Sequence, residues 1–428
     1  MSVPDPDDAP RMSVGPQSPT RILSPVASTH LIRFAIESPR ESPEEAHHAS
    51  ILFFQIIHDC KNADLTIHSY RPYSNSRPPS RTFSNASDRE INQDVRIDRL
   101  YTALYVNSPT EHGKINLVRM ILHGLFCPEA AEKDGTLTKI LPLACHWPSM
   151  TPDERQPKFE SLVNSARDIL FRFFTPLMAQ GGTTPPTSAT FTPASGLADP
   201  GQGTPNHDRN LSSLVRRRDG HRCVVSGVYD AEFIFAEERA GLPSPDDEGG
   251  TATDAAHIIP HALNNVARDN ADCTIGDSQV FVSGILDMFD PGVLGMLAGP
   301  EIDNPCNALL LAHDLHREFG KLHVYLEEVP DEPHSYCFKR TRGARRLRRD
   351  FNPKSEVLTF ANCEHGGLPL APLPSRRLLK LHAACCRMLE MAGAAEYVEN
   401  LLDDFEELGT LATDGSSEIG VLWGLYGL

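Results

Sequence analysis

The spacing of apolar residues predicts a helical first half of the chain. Ser42, Pro43 and Glu45 mark a helix start, because Ser caps the helix, Pro fits its first turn and Glu returns a hydrogen bond to the cap. Apolar residues at helical spacing predict further helices over residues 95–106, 114–126 and 160–174. Residues 29–180 are therefore predicted to be a mostly helical domain, and no motif in it indicates a role.

Two stretches lack the apolar residues that a packed core needs. Residues 1–28 are rich in Pro, Ser and Asp and are predicted to be disordered. Residues 181–208 are dominated by Thr, Pro, Gly, Ser and Ala, so ordering them would cost more entropy than burial could offset. This second stretch is predicted to be a linker between two folded parts.

The pattern changes after the linker to short β-like runs between polar loops. Such runs occur at residues 222–225 and 322–326, and a Ser cap at Ser375 opens a predicted C-terminal helix over residues 375–402. Residues 209–428 are therefore predicted to be a second domain with a core at residues 216–326. The predicted fold class of the whole chain is α+β.

The net negative charge limits how the protein can bind nucleic acid. Lys and Arg number 40 against 57 Asp and Glu, a net charge of −17, so contact with nucleic acid requires a local basic patch. No apolar run is long enough to span a bilayer, and no secretion signal is recognisable at the N-terminus. The expected location is intracellular, nuclear or cytoplasmic, without membrane contact.

Four short motifs follow the linker in a fixed order. They are RCVVSG from Arg222, AAHIIP from Ala255, NALLL from Asn307 and LHREF from Leu315. Each motif alone is a weak signal, but their joint order is similar to that of the HNH nuclease family, in the fungal-type branch with RCxxTG, AAHIIP, NxLLL and LHxxF. The resemblance covers roughly residues 209–330.

The resemblance implies a fold and a set of site residues. Members of the family fold this core as two antiparallel strands and a helix that grip one divalent metal, so a ββα-metal domain is expected here. His257 matches the general base, Asn307 the residue that orients its loop, and His316 a metal ligand. His313, one helical turn before His316, is a second candidate ligand. Mg²⁺ or Mn²⁺ is the expected cation.

The motifs also depart from the family pattern. Ala256 stands where many relatives have a metal ligand, which makes Asp254 the nearest carboxylate able to complete the site. Residues 262–303 are read as an insertion whose apolar part, residues 279–289, is predicted to form a helix. Cys223 has Ser226 where zinc-bearing relatives have the second Cys of a pair, so no structural zinc is predicted.

Two basic segments are candidate phosphate-binding surfaces. The first consists of Arg216, Arg217 and Arg218. The second consists of Lys339, Arg340, Arg342, Arg345, Arg346, Arg348 and Arg349, which is also compatible with an exposed loop or a nuclear import signal. Neither reads base identity, so weak sequence preference is expected.

The sequence therefore predicts a metal-dependent endonuclease that hydrolyses phosphodiester bonds of nucleic acid, most simply DNA. The His side chain suits the role of base at neutral pH, and a cation would neutralise charge that develops on the phosphate. The alternative is a catalytically inactive HNH-fold module that binds nucleic acid or protein, which the missing ligand at Ala256 favours.

Overall fold

A computed structural model of the protein describes residues 31–33, 35–36, 42–67, 94–127, 136–180, 205–243, 249–260, 275–346, 352–361 and 371–407. The predicted disordered segment 1–28, most of the predicted linker and the final residues 408–428 lie outside these residues.

The helices of the first half are α1 (Pro43–Asn62), α2 (Ile97–Val106), α3 (Glu111–Phe126), α4 (Leu137–Ala144), α5 (Pro152–Ile169) and α6 (Thr175–Gln180). The apolar spacing predicts α1, α2, α3 and α5, whereas α4 and α6 were not predicted. Ser42 and Glu45 form the predicted capping box of α1. Two details differ from prediction. Val95–Arg96 (β2) pairs with Thr66–Ile67 (β1) before α2 begins, and a π-helical segment, Leu170–Phe174, joins α5 to α6.

The second half mixes helices with short antiparallel strands. Its helices are α7 (Pro205–Arg218), α8 (Ala231–Arg239), α9 (Ile275–Phe289), α10 (His313–Gly320), α11 (Arg376–Ala392) and α12 (Ala395–Glu407). Its strands are β3 (Thr253–His257), β4 (Ala308–Ala312), β5 (Val324–Glu328), β6 (Ser335–Arg340) and β7 (Val357–Thr359). The α+β class is therefore confirmed.

Two local predictions are wrong. Residues 222–225 do not form a strand, because Arg222 makes only an isolated bridge to Tyr229 and Gly227 turns the chain back. The predicted helix over residues 375–402 is two helices. Gly393 has a φ of 70°, a left-handed conformation that ends α11, and Ala394 then donates its N–H back to Leu389.

The apolar residues of the two halves pack into a continuous core. Helix α11 lies against α2 as well as β5, and α9 lies against α3. Whether residues 29–180 and 209–428 are separate domains stays a prediction, but their helices share buried surface. Among the described residues, no helix is both long and apolar enough to cross a membrane.

Strands β3 and β4 and helix α10 form a ββα unit. The strands pair antiparallel from Thr253 opposite Ala312 to His257 opposite Ala308, and all five residues of β4 are buried. Helix α10 begins at His313, directly after β4. The His313 N–H donates to the Ala252 carbonyl at 3.0 Å, which brings the start of α10 to the start of β3.

Arg218 anchors the chain beside this unit. Its side chain is fully buried and donates from Nε and Nη2 to the Asp219 carboxylate at 2.7 and 2.9 Å. Its guanidinium also donates to the carbonyl oxygens of Pro305, Ala308 and Pro372. Asp219 accepts in turn from the Leu310 N–H at 3.0 Å. This ion pair therefore fixes α7 to both ends of the turn that enters β4.

His323 links α10 to α12. Its Nδ1 donates to Glu318 at 2.7 Å, and its Nε2 contacts Glu399. Burial alone lowers the pKa of His323, but the hydrogen bonds and negative charges of the two carboxylates outweigh it and raise the pKa to about 9. The imidazole is therefore charged at neutral pH.

We expect R218M to lower the free energy of unfolding by about 3–5 kcal/mol, because it leaves the Asp219 carboxylate buried without its cation. Urea denaturation measures this change. Arg222 is exposed and lies 3.7 Å from the centre of the Tyr229 ring, so R222M provides a control that should cost less than ~1 kcal/mol. Equal effects of the two variants would contradict the anchoring role.

We expect the stabilisation by His323 to depend on pH. Its folded-state pKa of about 9 lies above the ~6.5 of an unfolded histidine, so the contribution is complete below that lower value and disappears as the pH rises through 9. The difference in free energy of unfolding between wild type and H323Q should fall by roughly 2–3 kcal/mol from pH 6 to pH 10. H112Q, at an exposed position on α3, is the control. A difference that is constant with pH would refute the prediction.

Candidate functional site

His257 is the last residue of β3. Its Nε2 lies 3.1 Å from Oδ1 of Asp303, which ends a short 3₁₀ helix, Gly299–Asp303. The Asp303 side chain is 8% exposed, whereas that of His257 is 20% exposed. The carboxylate is therefore buried behind an imidazole that still reaches solvent.

Asn307 is fully buried and joins two segments around His257. Its Oδ1 accepts from the Ile259 N–H at 3.0 Å, and its Nδ2 donates to the Ile259 carbonyl at 3.0 Å and to the Ile302 carbonyl at 2.9 Å. Ile259 follows His257 by two residues, and Ile302 immediately precedes Asp303. One amide thus holds the chain on both sides of the contact between His257 and Asp303.

Asp254, His313 and His316 converge near the start of α10. Nδ1 of His313 and Nδ1 of His316 lie 2.8 and 3.3 Å from the same carboxylate oxygen, Oδ2 of Asp254. Burial raises the pKa of Asp254, but the hydrogen bonds and charges of His316 and His313 outweigh it and leave the pKa below its usual value. The carboxylate is therefore ionised at neutral pH.

This cluster contains imidazole nitrogens and carboxylate oxygens that can bind a cation, but they are not arranged around a common point. As placed, the imidazoles bond to the carboxylate, and among the described residues no group of three or more His, Cys, Asp or Glu side chains is arranged to hold a metal ion. An ionised carboxylate only accepts, so each imidazole donates through Nδ1 and, in its neutral form, carries its lone pair on Nε2. Two imidazole nitrogens oriented by a carboxylate suit a divalent transition metal, and the carboxylate oxygens suit Mg²⁺.

A small cavity connects His257 to the C-terminal end of α10. Its wall includes His257, Gly320, Leu177 and His382. Gly320 lies four residues after His316 and therefore one turn further along the same face of α10. His257 therefore lies beside the C-terminal end of α10, and this cavity is lined by none of Asp254, His313 and His316.

His382 of α11 holds the end of α10. Its Nε2 donates to the Phe319 carbonyl at 3.0 Å, and its ring stacks on Phe319 with centroids 3.8 Å apart. Complete burial lowers the pKa of His382 to about 4, so this imidazole is neutral and can donate one proton to the carbonyl. It adds a hydrogen bond to a carbonyl that also accepts from the Leu322 N–H at 3.1 Å.

All three arginines of the first basic segment take part in interactions inside the protein. Arg218 is buried and bound to Asp219 and carbonyl groups, so the prediction that it contacts nucleic acid is wrong. Arg216 donates to Glu232 at 2.9 Å and to the Thr253 carbonyl at 3.2 Å, next to Asp254. The side chain of Arg217 is partly buried.

The second basic segment lies on β6 and the 3₁₀ turn that follows it. Lys339 pairs with Glu327 at 3.5 Å, and Arg340 donates to Asn352 at 2.9 Å. Arg342 is exposed at the start of a turn that includes Arg345 and Arg346, whereas Arg348 and Arg349 lie outside the described residues. A role of this segment in binding nucleic acid stays a prediction.

Asp303 is the site residue that sequence reasoning missed. It lies in the stretch read as an insertion, whose predicted helix is present as α9. The available signal was its position four residues before Asn307, because the side chain of Asn307 bonds both to Ile259, which follows His257, and to Ile302, which precedes Asp303. Cys223 is buried, and its sulfur accepts from the Ser226 N–H at 3.4 Å.

Comparison with known families identifies this region. Residues 223–327 match the family model described as HNH endonuclease, and this range contains β3, β4 and α10. No curated protein and no solved structure matches the chain. The resemblance to the HNH nuclease family is thereby confirmed, whereas the fungal-type branch stays a prediction, and the family implies binding to nucleic acid. Residues 223–327 of this 428-residue chain are therefore similar to the HNH endonuclease family.

Proposed function

We propose that the protein is a metal-dependent endonuclease that hydrolyses phosphodiester bonds of nucleic acid, with His257 as general base. The observation that carries this proposal is the ββα unit within the HNH endonuclease match. One imidazole lies at the end of β3 in the contact held by Asn307, and two more lie on α10 against Asp254.

His313, His316 and Asp254 would hold the cation. A divalent cation in this family neutralises negative charge that develops on the phosphate and on the leaving oxygen. Asp254 orients both imidazoles, because one of its carboxylate oxygens, Oδ2, accepts a hydrogen bond from each ring.

His257 would take the proton of the attacking water. Its Nε2 faces a carboxylate, which can only accept a hydrogen bond, so Nδ1 carries the lone pair in the neutral ring. Its side chain is 20% exposed, which gives water and a phosphate access to the ring. Asn307 would keep the ring in place through the backbone of Ile259.

The proposed substrate is DNA with weak sequence preference. Phosphate contacts would come from Arg217, Lys339, Arg340 and Arg342 and from the basic residues that follow them, since such contacts position nucleic acid without reading bases. A chain with a net charge of −17 would bind it in a strongly salt-dependent manner.

We expect H257A to lower the rate of plasmid cleavage by about 10²- to 10⁴-fold, the usual contribution of a general base. Relaxation and linearisation of supercoiled plasmid with Mg²⁺ or Mn²⁺ measure it. H112A, which changes an exposed histidine on α3, should cleave like wild type. Cleavage by H257A at the wild-type rate would remove His257 from the mechanism.

We expect Mn²⁺ or Mg²⁺ to raise the melting temperature of the wild type, because an ion that binds only the folded state stabilises it by ~2.7 kcal/mol at 100 times its Kd. H316A and D254N should lose most of this metal-dependent shift. D314N changes a carboxyl in the same first turn of α10 and should retain it.

Each variant is compared with itself without metal, so a change in its own stability does not enter the result. Equal shifts in all four proteins would place the ion elsewhere. No metal-dependent shift in the wild type, together with salt-sensitive DNA binding, would favour the inactive binding module.

A further inference from the structure

We propose that Asp303 is a positioning residue for the cleavage reaction. It forms a carboxylate and imidazole pair with His257 that fixes the ring with its proton on Nε2 and its lone pair on Nδ1. This inference rests on the proposed function, and it adds a residue that the HNH motifs do not contain. Asp303 lies in the segment between α9 and β4, before the NALLL motif.

The geometry favours a directed contact. Oδ1 of Asp303 lies 3.1 Å from Nε2 of His257, within hydrogen-bond range. Because Asp303 is 8% exposed and its partner 20% exposed, water competes little for the carboxylate. A charge-assisted hydrogen bond in such a place is stronger than one at the surface.

Each partner lies on a backbone segment that is held in place by hydrogen bonds. His257 is held by the pairing of β3 with β4 and by the bonds from Asn307 to Ile259. Asp303 is held by the 3₁₀ helix that it ends and by the bond from Asn307 to the Ile302 carbonyl. The contact is thus built from two fixed segments that share one amide, which differs from a chance meeting of mobile side chains.

The pair accounts for the proton in the proposed step. The water oxygen forms a bond to phosphorus with one of its lone pairs, and its proton passes to Nδ1 of His257. The bond from phosphorus to the leaving oxygen breaks, and that oxygen keeps the electron pair and takes a proton from solvent. The imidazolium then carries a proton on each nitrogen, and the negative charge of Asp303 stabilises it.

The first experiment measures the tautomer directly. Nitrogen-15 NMR of histidine-labelled full-length protein near pH 8, with His257 assigned by its loss in H257Q, distinguishes a protonated nitrogen from a bare one. Wild type should show His257 protonated on Nε2. D303N should lose this preference, because an amide can also donate, and D303E should retain it at least in part.

The second experiment measures cleavage. We expect D303N to lower kcat by on the order of 10²- to 10⁴-fold with KM within about twofold of wild type. D303E, which keeps the carboxylate, should recover part of that loss. E301Q removes one negative charge two residues away in the same 3₁₀ helix at an exposed position, and it should cleave like wild type.

The outcomes separate this inference from the proposed function. A bare Nε2 in wild-type His257, or a loss of kcat below about threefold in D303N, would overturn the role of Asp303. Equal losses in D303N and D303E would also overturn it, since the carboxylate would then not matter. The wild type could cleave no substrate and still show a proton on Nε2 of His257 that D303N loses. That result would refute the nuclease proposal but support the pairing of Asp303 with His257.

Discussion

The side chain of Asn307 is the constraint on which the arrangement of this site depends. Three hydrogen bonds from one fully buried amide connect the segment after β3 to the segment before β4. Removing the amide would leave the N–H and carbonyl of Ile259 and the Ile302 carbonyl buried without that partner, and each such loss costs about 1–3 kcal/mol. The two segments carry His257 and Asp303, so the bonds that satisfy the backbone also set the distance between these side chains.

The same physical device occurs twice within the ββα unit. Asp254 accepts from two imidazoles on α10, and Asp303 accepts from the imidazole at the end of β3. In each case the carboxylate only accepts hydrogen bonds, so the ring nitrogen that faces it carries a proton. The other nitrogen of the ring then points away from the carboxylate. Under the proposed function, the two histidines on α10 would bind the cation and the histidine at the end of β3 would take the proton.

The parts of the site that the sequence predicted are those fixed by local rules. A strand ending at His257 and a helix carrying His313 and His316 follow from short motifs, and the capping box at Ser42 follows from three residues. Asp303 was missed because its partner lies 46 positions away, at the far end of an apparent insertion. Arg218 was misjudged because a run of three arginines has no periodicity that distinguishes the buried one from its neighbours.

The packing of α11 explains why the nuclease-like unit is not independent of the first half of the chain. His382 on α11 holds the last turn of α10, and α11 itself lies against α2. Leu177 of α6 also lines the cavity at His257. Separating the halves between residues 180 and 205 would expose the buried faces of α9 and α11, and each Å² of apolar surface exposed would cost roughly 25 cal/mol. The helices of the first half therefore support the helix that carries the proposed cation site, although no motif in them indicates a chemical role.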